Sequence, residues 1–553
     1  MTAQANTAPE APAGANPPTG GEIAVEALIA NGVDTLFALP GVQLDHLFNA
    51  LHGAQDRLRV IHSRHEQGVA YMALGYAMAS GKVGAYAVVP GPGFLNTGAA
   101  LSTAYATHAP VLAVVGQIVT GAIGQGGGEL HELPDQGAII AGLTRWSGAA
   151  MEADAVAGVM DGAFAALASG KAPAGVELPA NVLKNRASEG VEIAAAVAPA
   201  PSAGEPELIA RAARMLAGAK APLIWIGSGA LDCREQLVAL SRRLGAPVAC
   251  HLQGRGVMRS DDPWGVGMWE GRKLWADADV ILAVGTRLHS MRKRWGVEGR
   301  EIIRIDHDPA QFARGEAPTL AIEAEAGAAL TALVAAVQAE PAPEGVEARQ
   351  AHVAELKTAK AMEFEEKLAP QMAYLRAIRA ALPEDAAVVC DYTQIGYAAT
   401  GALPVDLPRR LITPGYQGTL GFGYATTLGV KVALPDTPVV GLCGDGGFLF
   451  TGNEIATAVQ FGINAVGVVF ADGAYGNVRR MQANLHGGKM ISTELRNPDF
   501  VAYAESFGAE ARRVDSPEGL EEALRWAITR PGPTIIEVTM PVLPDPWALL
   551  EPA

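Results

Sequence analysis

Two carboxylates each end an apolar run among glycines: Asp445 in "CGDGGFLFTG" (443–452) and Asp472 in "FADGAYGN" (470–477). A carboxylate at the end of a buried strand is costly unless a cation or hydrogen-bond donors meet it. Gly446 and Gly447 follow Asp445 and precede a helical stretch, "NEIATAVQFG". Glycines let a backbone approach a ligand closely, and a helix start presents free N–H groups, a pairing that suits a phosphate. A carboxylate beside a phosphate repels it unless a cation lies between them. Mg2+ takes its oxygen ligands from one or two carboxylates and from phosphates. The two aspartates therefore suggest a diphosphate held through a metal. The plain alternative is a turn at GDG and a hairpin at DG. A third acidic residue, Glu66 in "VIHSRHEQGVAYMALGYAMASGK" (60–82), follows an apolar strand and opens an apolar helix. That setting suits a buried, tuned carboxyl, or simply a charge at a helix start.

The elements that must position these groups repeat along the chain. Short β-branched runs alternate with longer helical patterns: "VGAYAVVP" and "PVLAVVGQ"; then "PLIWIGSG", "PVAC", "DVILAVGT" and "IIRIDHD"; then "AAVVCDY", "PVVGLCGDGG", "AVGVVFADG" and "PTIIEVTM". Continuous apolar runs without strict alternation mark strands covered on both faces. The expectation is an α/β protein of three doubly wound parallel-sheet domains, with ligands at the carboxyl ends of the strands. Two connectors rich in Pro, Ala and charge (194–207 and 339–350) place the domains at 21–190, 205–338 and 355–545. Residues 1–20 lack basic residues and an apolar core, and read as a disordered tail rather than a signal peptide.

The chain has 553 residues and a net charge of −16, which argues against nucleic acid and anionic membranes as partners. Four scattered cysteines with no CxxC pair fit a reducing cytoplasm rather than a disulfide or zinc framework. No apolar run reaches membrane-spanning length.

The stretch from Gly444 to Asn477 resembles the signature of thiamine-diphosphate (ThDP) enzymes: GDG, a helix, a strand, then Asn-Asn or Asn-Asp before Tyr-Gly. The resemblance implies Mg2+ bound by Asp445, Asp472 and the carbonyl of Ala474, with Gly446, Gly447, Tyr475 and Gly476 around the cofactor. Ala471-Asp472 replaces the commoner Asn-Asn. "RHEQGVAYMALGYA" resembles the family segment carrying the glutamate that hydrogen-bonds the aminopyrimidine and drives removal of the thiazolium proton; the matching residue is Glu66. "LFALPG", "VPGPGFLNTGAAL" and "GYQGTLGFGYATTLGVKVA" follow in family order, with Ala38 where Gly is usual. Gly418 then supplies a carbonyl to the pyrimidine, and Leu420 wedges the cofactor into its bent form, unless Leu420 is plain core. Thr393 and Gln394 fall where the family's diphosphate loop lies. The domain order, pyrimidine-binding, middle Rossmann-like and diphosphate-binding, is that of the acetolactate synthase and benzoylformate decarboxylase group.

The resemblance implies a homodimer or dimer of dimers, because the glutamate and the metal site of one cofactor come from different subunits. Decarboxylases of the group carry histidines in the segment aligning with Val88, Val89 and Pro90, where "AVVPGPGF" has none. That points to a carboligase or lyase acting on small 2-keto acids or 2-hydroxy ketones. A 2-keto acid decarboxylase, a C–C hydrolase and a non-catalytic ThDP-binding protein stay open. Val89, Pro90, Gln117 and His131 are substrate candidates, with Glu132, His62 and His65 beside them. The segment 479–500 resembles a loop that closes over substrate. In the middle domain, "IGSGAL" admits FAD, which acetolactate synthases carry there.

Overall fold

The computed structural model describes residues 16–550. Three six-stranded sheets follow one another along the chain, and every strand pairing within them is parallel. The ten runs read as strands from their apolar pattern are all strands, among them Val111–Gln117, Val280–Val284, Val439–Gly444 and Val466–Ala471. The strands that carry no such pattern lie at or next to sheet edges. Glu510–Val514 is one: it pairs only with Thr534–Thr539, exposes three of its five residues and buries none.

Counted by position in each sheet, the first and third sheets share the order 2-1-3-4-6-5, and the middle sheet has the order 3-2-1-4-5-6 read from its far edge. In the third sheet, strand Ala387–Cys390 lies beside Val439–Gly444, which lies beside Val466–Ala471. The chain leaves the first two of these strands toward opposite sides, which makes the switch point where doubly wound sheets open a crevice at their carboxyl ends. Thr393, Gln394 and Asp445 stand there, with Asp472 at the end of the next strand.

The first and third domains meet through helices Glu66–Ser80 and Gly423–Ala433. They approach so closely that a Cβ on Gly75 would lie 2.2 Å from the Thr426 carbonyl oxygen, and one on Gly429 would lie 1.9 Å from that of Met72. Only glycine permits this contact, which fixes the first domain against the third.

Two expectations change. Residues 1–15 of the expected tail lie outside the described residues, but residues 18–20 are docked. Pro18 accepts from Ala187 N–H at 2.9 Å, Thr19 pairs with Arg186, and a helix starts at Gly20 behind a Thr19–Glu22 capping box. The connector expected at 339–350 ends early, because helix Val346–Ala381 begins inside it and runs on, kinked at Leu368 ahead of Pro370. Among the described residues no helix is long and apolar enough to cross a membrane, and the four cysteines are unpaired.

Candidate active site

Asp445 is 1 % exposed and sits where strand Val439–Gly444 turns into the short helix Asp445–Phe448. Three donors hold its carboxylate: its neighbour Gly446 N–H (2.8 Å), Gly473 N–H (2.8 Å) and Asn497 Nδ2 (2.7 Å). Asp472 accepts from Ala474 N–H (3.2 Å) and from Gln394 Nε2 (2.7 Å). No lysine or arginine pairs with either aspartate among the described residues. Burial raises both carboxyls above their ordinary value, and the charge of Asp445 raises Asp472 further. Two neighbouring carboxylates that repel each other, ringed by amides and lacking a cation, form the donor set a hard divalent ion fits.

The surrounding backbone is shaped for this pair. Gln394 is buried, its carbonyl end accepting from Leu543 N–H at 2.6 Å while its amide end reaches Asp472. Thr393 is the residue before helix Gln394–Ala402. A Cβ on Gly446 would meet the Tyr475 ring at 2.6 Å, and one on Gly476 would meet Asp472 at 2.9 Å. Gly418 adopts the left-handed conformation (φ 62°), and Leu420 is half-buried beyond it.

Three residues at this site escaped the sequence reading. Asn497 lies in the stretch expected to cover substrate, yet returns to Asp445 because Leu495 and Tyr475 pair with Gly473 and Thr493. No local pattern marks it. Asp391 is buried and accepts from Tyr392 N–H and Gly423 N–H; burial pushes its carboxyl up to about 6. The third, Glu454, stands beyond Asp445 in "NEIATAVQFG".

Glu66 opens helix Glu66–Ser80 of the first domain. Its carboxylate is half-buried and accepts from Asn96 Nδ2 at 2.9 Å. No hydrogen bond or ion pair joins it to Asp445 or Asp472 among the described residues. His65 caps the helix, its Nδ1 accepting from Gln67 N–H at 3.1 Å, and His62 packs edge-on against Phe461.

The substrate candidates fall into two sets. Val89 fills the space between Gly41 and Gly93, and Pro90 packs against Gly116. His131 reaches Gln43 through Nδ1 at 3.1 Å, and its backbone carbonyl would meet a Cβ on Gly91 at 2.4 Å, so the loop 124–136 covers the segment after Val88. Gln117 does not point outward. Its amide donates to Glu177 at 2.9 Å and its oxygen accepts from Ile118 N–H, inside a buried network with Gln136. Glu132 is likewise taken up by the N–H groups of Gly126, Gly128 and Glu129, which staple its own loop.

At the switch point of the middle sheet, between Pro222–Ile226 and Val280–Val284, the two turns close on each other. A Cβ on Gly227 would lie 2.4 Å from Gly285 O, and one on Gly285 would lie 2.5 Å from Gly229 Cα. Arg287, just past the second strand, turns to the first domain, donating to Ala106 O at 3.0 Å and meeting His108 Nε2 at 2.8 Å. The close approach explains the glycines at 227, 229 and 285, and no chemistry is assigned to a flavin.

Three family models match in order: the thiamine pyrophosphate enzyme N-terminal TPP binding domain over residues 18–139, the central domain over 209–333, and the C-terminal TPP binding domain over 391–538. The chain is 35% identical to the probable 2-ketoarginine decarboxylase AruI of Pseudomonas aeruginosa, over 94% of each chain. The chain belongs to the thiamine pyrophosphate enzymes. Other relatives of this ThDP enzyme are acetolactate synthase isozyme 3 large subunit of Escherichia coli (29% identical, 92% of each chain) and sulfoacetaldehyde acetyltransferase of Castellaniella defragrans (29%, 92% of this chain and 90% of that protein). It is an acetolactate synthase-like, ThDP-dependent enzyme that makes or breaks C–C bonds next to a carbonyl.

Proposed function

We propose that this enzyme is a Mg2+-dependent carboligase or lyase of small 2-keto acids or 2-hydroxy ketones, working as a homodimer or a dimer of dimers. The Asp445–Asp472 pair carries the reading: two neighbouring carboxylates at adjoining strand ends demand a divalent cation, and a cation there holds a diphosphate at the switch point. Asp445, Asp472 and the Ala474 carbonyl would bind the ion, with Asn497 and Gln394 orienting the two carboxylates. Gly446 and Gly447 would admit the diphosphate, and Gly418 and Leu420 the ring system. Bound ThDP would supply a carbon nucleophile for a carbonyl and a sink for the charge left by a broken C–C bond. Glu66 holds the proton exchanged with the aminopyrimidine, and Asn96 orients its carboxylate.

Glu66 and the aspartates lie in separate domains with no bond between them, which supports completion of each site by a second copy. Exposed apolar side chains flank both halves: Leu95 (48 %) next to Asn96, Phe450 (47 %) after the GDG turn, and Met481 (52 %) after Tyr475. A second copy seated over the two halves would cover these side chains. The test is complementation. Glu66→Gln and Asp445→Ala are each inactive as homomers. Mixed dimers regain activity if the site lies between subunits, because one of their two sites is then wild type throughout. No recovery in verified mixed dimers refutes the shared site.

His131 favours decarboxylation as a second reading. Its backbone lies against Gly91, so it brings an imidazole to the loop covering the segment after Val88, which itself has no histidine. The relative named as a probable 2-ketoarginine decarboxylase makes 2-ketoarginine a substrate to try. Incubation with pyruvate alone, pyruvate plus an aldehyde, and 2-ketoarginine separates the readings. Hydroxy ketone supports ligation, whereas free aldehyde alone supports decarboxylation.

A further inference from the structure

Glu454 is completely buried, and burial raises its carboxyl above the ordinary value. No lysine, arginine or histidine forms an ion pair with it among the described residues, and the nearby Arg64 guanidinium goes to Gln460 at 2.9 Å instead. Three neutral donors hold the carboxylate: Thr457 Oγ1 at 2.6 Å, Arg64 N–H at 3.2 and 3.1 Å to its two oxygens, and His65 N–H at 3.1 Å. Thr457 belongs to the same domain. The two backbone donors belong to the first domain and immediately precede Glu66. They lie at a helix start, where backbone N–H groups have no partner within the helix.

The neighbours make room for this contact and reinforce it. A Cβ on Gly68 would lie 2.4 Å from Glu454 Oε1, so only glycine lets the carboxylate reach the turn. Gln460 and Phe461, on the helix that follows Glu454, take His62 at 2.8 Å and in an edge-on ring contact. The strand-to-helix turn that carries Glu66 is thus held by the segment following the metal-binding turn. A buried carboxylate with no ion-pair partner is expensive to keep, and the nearby charge of Arg64 offsets its burial only in part. Its donors identify what it holds in place, and a proton-transfer group displaced by about 1 Å loses roughly 100-fold in rate.

We propose that Glu454 is a positioning residue for Glu66, fixing the turn ahead of it from the domain that carries Asp445 and Asp472. The inference rests on Glu66 being the proton-transfer group proposed above. The test uses full-length protein loaded with ThDP and Mg2+. The readouts are exchange of the cofactor C2 proton with deuterium, followed by NMR after acid quench, and the ThDP dissociation constant. Glu454→Ala should slow exchange by about 10- to 100-fold while the dissociation constant stays within about 3-fold. Glu454→Gln, whose amide oxygen still accepts both N–H groups, should return exchange to within about 3-fold of wild type. Wild-type exchange in Glu454→Ala, a parallel loss of affinity, or a Gln variant no better than Ala overturns the proposal. Should Glu454→Ala not fold, Gly68→Ala pushes the carboxylate aside with the charge retained, and unchanged exchange in that variant is equally fatal. Wild-type exchange in Glu66→Gln would remove the underlying assignment instead.

Discussion

Asp472→Asn should stabilise the metal-free protein and weaken the loaded one. Neighbouring parallel strands lie about 4.8 Å apart. Two unit charges about 4 to 6 Å apart at an effective dielectric near 20 repel by about 3 to 4 kcal/mol. Asparagine removes that repulsion and gives up one acceptor, since a single oxygen must serve Ala474 N–H or Gln394. The loss is about 1 kcal/mol, so the metal-free variant gains on the order of 2 kcal/mol. The sign follows the pKa directions. Both aspartates are raised above 3.8, so the folded state holds protons that the unfolded state has released. Stability from this pair is therefore present below 3.8 and is lost as pH rises through the raised values. The assay is thermal unfolding between pH 4 and 8, with EDTA and then with Mg2+ and ThDP. With EDTA, the variant should melt a few degrees above wild type at pH 7, with the gap closing toward pH 4. With Mg2+ and ThDP the order should reverse, because the ion loses a charged ligand. If the variant melts lower under both conditions, Asp472 is a structural acceptor and the metal reasoning is wrong.

Glu66→Gln should reduce kcat by about 100- to 10,000-fold while ThDP still binds, checked by steady-state kinetics beside a cofactor titration. Asp391 titrates at about 6 in the folded protein against an ordinary 3.8. Its contribution should thus fall between those values and stay flat above them, and Asp391→Asn should remove that slope from the unfolding profile. Gly429→Ala places a methyl 1.9 Å from the Met72 carbonyl oxygen. It should part the first and third domains and destabilise the protein by roughly 1 to 3 kcal/mol, read by chemical denaturation. The closed switch point of the middle sheet predicts a purified protein without flavin absorbance near 450 nm; a stoichiometric yellow chromophore would contradict it.

Much of the active half of this protein is local, and local features are legible in sequence. The buried strands show as unbroken apolar runs because both faces of a parallel sheet are covered. Asp445 and Asp472 show because carboxylates rarely end such runs without a purpose. Glu66 shows through its place between strand and helix and through family resemblance. Other features depend on which segments fold back onto which. Asn497 meets Asp445 because Leu495 pairs with Gly473, a contact no local spacing encodes. Gln117 looked available at a strand end, but Glu177, far along the chain, takes its amide. Edge strands such as Glu510–Val514 are half-exposed and carry no apolar signature. Residues 18–20 are held by 185–187, which composition could not foretell. The sequence by itself determined the cofactor class through its resemblance to ThDP enzymes, and it drew attention to two aspartates because residue type and spacing set them at adjoining strand ends. The tertiary structure alone decided that Glu454 spans the domain of Glu66 and the domain of the two aspartates. Domain packing, set by glycines that let helices touch, brings residues 390 positions apart within a hydrogen bond.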